Sequence, residues 1–136
     1  MAKQDKVIAG ILVAHGLLGA AWTYMAASQL GFPALFLISN LTLVAIGITA
    51  GIGCFKNFRW AALLGMLFFA IQLLHIATPS FGFSFTLGLN FIISFGWFGS
   101  GQIGINLFAL AMLLWVGFRV GAPNNSFKAD AIVPPL

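Results

Sequence analysis

Charge is what this chain has least of. Only 6% of its 136 residues are charged, and just two are acidic, whereas a soluble domain carries about 25%. With 61% of residues hydrophobic and a mean hydropathy of +1.06, an ordinary water-soluble domain is excluded and a membrane protein is expected. Cysteine is nearly absent: Cys54 stands alone, which rules out an internal disulfide and any paired-cysteine metal or redox motif. The two acids, Asp5 and Asp130, both fall outside the long apolar runs. Coupled transporters lean on carboxylates within the membrane and voltage sensors on arginines there, so neither class is expected. The sequence holds no Ser/His/Asp set, no carboxylate pair and no phosphate-cradling glycine loop. No catalytic, cofactor-binding or metal-ligating residue is therefore assigned, and a non-enzymatic protein is expected. Six Lys/Arg without exposed aromatics between them do not make a nucleic-acid surface either.

What is present is a series of uncharged apolar runs. Residues 7–30 follow a short polar leader, and 24 residues at 1.5 Å each cross about 30 Å of hydrocarbon. A cleaved signal peptide is the rival reading, but its apolar core would be shorter, about 7–15 residues. After the turn Gly31-Phe32-Pro33, a second span covers residues 33–55, with Pro33 suited to its first turn. The charged loop Lys56-Asn57-Phe58-Arg59 separates it from a third span, 60–78, and a fourth runs over 103–120. Residues 121–136, with three prolines and few large apolar side chains, read as a disordered tail. The expected fold class is thus a membrane all-α four-helix bundle in a single domain, with one β-hairpin between helices 3 and 4.

The positive charges orient it. All six Lys/Arg lie in the leader, the Lys56/Arg59 loop or the Arg119/Lys128 end. The positive-inside rule then puts both termini and the middle loop in the cytoplasm, and residues 80–102 on the outer side of a cell membrane, expected to be a bacterial inner membrane.

The hairpin is read from periodicity. Phe81, Phe83, Phe85, Leu87, Leu89, Phe91, Ile93, Phe95 and Trp97 alternate with mostly small or polar residues, and the phase resumes at Ile103 and Ile105. A period of two gathers the large residues on one face of a strand. Gly99-Ser100-Gly101 supplies the turn, with a second reversal available near Gly88-Leu89-Asn90. The expectation is a lid with its apolar face down on the helix ends and its Gly/Ser/Thr/Asn face outward. Ser84, Thr86 and Asn90 would then form a surface for a partner protein.

Within the spans, His15 and His75 raise the question of haem. Counting from the cytoplasmic ends, they lie at about 12 Å and 22 Å, too far apart in depth to ligate one iron. Neutral histidines bonded to neighbouring helices are expected instead. Depth matching from the outer ends places Thr23, Asn40, Gln72, His75 and Asn106 in one polar layer, the floor of a pocket beneath the lid. Gly47 and Gly51 form a GxxxG spacing for helix packing, within the chain or in a homodimer.

Two function classes follow. One is an interaction partner, accessory subunit or immunity-type protector that presents the outer hairpin while sitting in the lipid bilayer. The other is a carrier or binding protein for a lipid or apolar small molecule held under the hairpin.

Overall fold

Helices form wherever the apolar runs are free of strand periodicity. In the computed structural model, which describes residues 3–85, 87–97, 99–124 and 127, α1 (Lys3–Met25) is prolonged by a π-helical turn, Ala26–Leu30. Gly31 ends it with φ +62°, the left-handed conformation that glycine adopts without steric cost. Pro33 stands at the N-cap of α2 (Ala34–Phe55) rather than inside it. α2 closes through a Schellman turn: Phe58 N donates to Gly53 O and Asn57 N to Cys54 O, with Asn57 at φ +61°. α3 (Arg59–Ile71) follows at once, and α4 (Leu107–Gly121) ends the described helices.

Between α3 and α4 lies a sheet, and here the architecture departs from the expected all-α bundle. β1 (Leu74–Ala77), β2 (Gly82–Ser84), β3 (Ile92–Trp97) and β4 (Gly101–Asn106) pair in the order β2-β1-β4-β3, all antiparallel. The class is mixed α and β. The turn at Gly99-Ser100-Gly101 is where it was expected, joining β3 to β4. The third span stops at Ile71 instead of Thr78, and the fourth begins at Leu107 instead of Ile103.

Both corrections have local causes. The Gln72 side chain turns inward to other partners and β1 starts two residues later. Asn106 is an N-cap: its Oδ1 accepts from Phe108 N at 3.1 Å and Ala109 N at 3.3 Å, so α4 cannot start earlier. By length and composition, two helices can cross a membrane: α1 with its π turn, and α2. At 13 and 15 residues, α3 and α4 reach only about 20 Å and 22 Å.

The helices pack in chain order, α1 on α2, α2 on α3, α3 on α4. Asp5 and Arg119 bring the start of α1 to the end of α4, with Arg119 Nε donating to Asp5 Oδ1 at 2.8 Å. The core is built from Ile8, Leu12, Leu43, Val44, Phe68, Phe69, Met112 and Val116. Small residues set the helix spacing: a Cβ at Gly47 would press on Phe68, and one at Gly51 on Val13. Both glycines are therefore used inside the chain. Phe127 is buried, so at that residue the tail packs against the protein; Lys128, Asp130 and the rest of 128–136 lie outside the described residues.

Candidate functional site: a buried polar latch and an open sheet edge

The segment between β2 and β3 does not lie over the helices; it enters them. Leu87 is fully buried, and its side chain fills the space where Gly19 of α1 lacks one. Its backbone N donates to Gln72 Oε1 at 3.0 Å. The same oxygen lies 3.3 Å from His15 Nε2, and Gln72 Nε2 donates to Phe68 O at 3.2 Å. The His15 ring stacks on Phe108, nearly parallel with centroids 5.4 Å apart, with Phe68 and Phe69 edge-on. One glutamine thus ties α1, α3 and the inserted segment together, in a site from which water is excluded. It is a latch.

The residues expected to share a polar layer are distributed otherwise. Gln72 meets His15, which had been set apart from that layer. Thr23 donates to Gly19 O of its own helix. Asn40 is buried, and its Nδ2 has no hydrogen-bond partner among the described residues. His75 is on β1, its Nε2 3.4 Å from Gln102 Nε2. Asn106 caps α4 and also accepts from Phe91 N at 3.2 Å. The depth matching failed because it counted down from Thr78, seven residues beyond the true end of α3. Counted upward from Arg59 and Lys3, Gln72 and His15 come to about 20 Å and 18 Å, the same level. Thr23 is eight residues, about 12 Å, higher. Asn106 carried a legible signal: a short polar residue directly before an apolar helical run.

The sheet faces are the reverse of what was expected. Cross-strand register places Phe83, Ile76, Ile103 and Phe95 in one row, and Leu74, Ile105 and Ile93 in the next. This apolar face is open: Phe95 and Trp97 are each 73% exposed and Ile103 54%. The opposite face carries Ser84, His75, Gly104 and Ser94, with Gly104 and Asn106 buried. The apolar face is not down on the helix ends because that space is already filled by Leu87. The strands prolong α3 and α4 instead, since β4 passes into α4 without a loop. Of the expected partner surface, Ser84 is half-buried, Asn90 is exposed beside Trp22 and Leu18, and Thr86 lies outside the described residues.

Among the described residues, the edge at β3 is also open. Leu107 N donates to Phe91 O at 2.8 Å and Asn106 N to Leu73 O at 2.9 Å. Bonded and non-bonded pairs alternate along an antiparallel ladder. Ile93, Phe95 and Trp97 therefore bond to β4, and the N–H and C=O of Ile92, Ser94 and Gly96 point away from it. β3 holds no Pro and no charge, the usual devices that protect an edge.

Compared with family models, curated proteins and solved structures, the chain has no match.

Proposed function

We propose that this is a small, non-enzymatic integral membrane protein that works by docking a partner protein on its outer sheet, as an accessory subunit or an immunity-type protector. In this reading all four helices are embedded, both termini are cytoplasmic, and the membrane is a bacterial inner membrane. The charge map supports that orientation, with Lys56 and Arg59 at the loop and Arg119 at the far end of α4. Chain length supports it as well. α3 with β1, at about 20 and 13 Å, and α4 with β4, at about 22 and 20 Å, each exceed the roughly 30 Å of hydrocarbon that neither helix covers alone. The sheet then sits in the outer leaflet, and lipid-facing helix positions such as Leu17, Leu35, Ile38, Leu63 and Leu114 are apolar and exposed, as that environment requires.

The observation that carries the docking role is the uncharged sheet, which among the described residues has a bare face and an unpaired edge. Backbone groups left unpaired in hydrocarbon cost several kcal/mol each, so an edge like β3 is stable in that position only when something pairs with it. A photo-reactive phenylalanine analogue in place of Phe95, activated in native membranes, should give a discrete protein adduct; adducts with lipid alone would overturn the docking role.

A second reading, a lipid or apolar-molecule carrier, is favoured by a cleft of about 440 Å³ between α2 and β2, lined by Ile38, Thr42, Ile46, Ile71, Phe83 and Phe85. That volume is within the range of ligand sites, about 300–1,000 Å³. Lipid retained stoichiometrically through purification and lost on Thr42→Trp would favour it.

A further inference from the structure

We infer that the partner on the β3 edge is a second copy of this chain, joined strand to strand about a two-fold axis at Ser94. The inference rests on the docking role just proposed and names its occupant.

The edge is complementary to itself. An antiparallel pairing of β3 with its own copy is isologous, so each contact occurs twice. Centred on Ser94, it sets Ser94 opposite Ser94 of the second copy, Ile92 opposite Gly96, and Ile93 opposite Phe95. Parity agrees with the free groups: Ile92, Ser94 and Gly96 are the residues whose N–H and C=O point off the edge, and in this register each faces another of the three. All six groups on each copy find partners, which a register displaced by one residue would deny them. The side chains agree too. Ile93 against Phe95 is a β-branched–aromatic pair, a favourable cross-strand combination, and it recurs on both sides of the axis. On the other face the bulk of Ile92 meets Gly96, which has no side chain to collide with.

Among the described residues, no other segment pairs with this edge. β2, at the far side of the sheet, is only three residues long, and short edges are already protected. Gly47 and Gly51, the other dimer signal in the sequence, are occupied by Phe68 and Val13 of the same chain. Pairing at β3 makes one eight-stranded sheet with a continuous apolar face: Leu74, Ile76, Ile93, Phe95, Ile103 and Ile105 from each copy, all turned to lipid.

The test uses the full chain in native membranes, with Cys54→Ala as background. Residues paired across a bonded antiparallel site have Cα atoms about 5.5 Å apart, inside the disulfide range. Under mild oxidation Ser94→Cys should move the chain from 14.5 kDa to a band of twice that mass. Ser100→Cys, in the turn just beyond Trp97, should stay at the monomer position, since Trp97 is three residues from the axis and so already about 20 Å from its own mate at 3.3 Å per residue. Ser94→Lys should abolish the dimer in native mass spectrometry while helical circular dichroism is kept. A Ser94→Cys chain that stays monomeric, or a Ser100→Cys chain that cross-links equally well, would overturn the inference. A Phe95 photo-adduct with a protein of another mass would overturn the second copy and leave the docking role standing. Lipid adducts alone would end both.

Discussion

Replacing Gln72 by Leu is the sharpest perturbation of the latch, because it keeps the volume and removes every polar contact. Two buried groups lose their acceptor: Leu87 N, now at 3.0 Å, and His15 Nε2, now at 3.3 Å. A buried group left unpaired costs about 1–3 kcal/mol, whereas side-chain hydrogen bonds between membrane helices average about 0.6 kcal/mol because alternative partners are found. The two figures apply to different groups here. Leu87 N is backbone, held by a side chain locked against Gly19, and cannot turn elsewhere, so about 2 kcal/mol is appropriate. His15 can re-orient, so about 0.6 kcal/mol is the better value. The sum, about 2.5 kcal/mol, lowers the folding equilibrium by roughly 70-fold. Reversible unfolding in mixed micelles measures it, and amide exchange at Leu87 locates it. Gln102→Leu is the control, since its contact with His75 is long and exposed, and a loss under about 0.5 kcal/mol is expected. If Gln72→Leu stays within about 0.5 kcal/mol of the parent and Leu87 exchange is unchanged, the latch does not hold the inserted segment.

Two further predictions concern the same core. Gly19→Ala drives a methyl group into Leu87 and should cost about 1–3 kcal/mol, and Leu87→Ala about 2–5 kcal/mol. In the double variant the added methyl occupies the vacated space, so the combined loss should fall short of the sum by more than 1 kcal/mol; additive losses in chemical unfolding would show that the two do not touch. Arg119→Met deprives a fully buried Asp5 carboxylate of its guanidinium and should cost about 3 kcal/mol. Asp5→Asn with Arg119→Met should recover most of that loss, and a double variant no more stable than Arg119→Met would refute the charge argument.

Several features could be read from residue order because the physics behind them is local. Strand character at β2, β3 and β4 follows from a side-chain period of two, and the β3–β4 turn from three small residues between apolar runs; Leu87, Leu89 and Phe91 share that period without forming a strand, and β1 lies in a stretch that reads as helix. The ends of α1 and α2 are marked by Gly31, Pro33 and the charges at Lys56 and Arg59. The start of α4 was equally local, written in Asn106, but the apolar run was given more weight than the cap. Asp5 was less accessible: it reads as part of a polar leader, and only the return of α4 to that end supplies the arginine that lets a carboxylate be buried.

The site depended on contacts far apart in sequence. That Gln72 meets Leu87 and His15 could not be derived from spacing, because it depends on where α3 stops, and an error of seven residues there moves every depth estimate by about 10 Å. Periodicity likewise determined which side chains share a face of the sheet. It could not say what covers that face, since an apolar face is satisfied equally by helices or by lipid. Tertiary structure decided that point: Leu87 takes the space among the helices, and the Phe/Ile face of the sheet is left open.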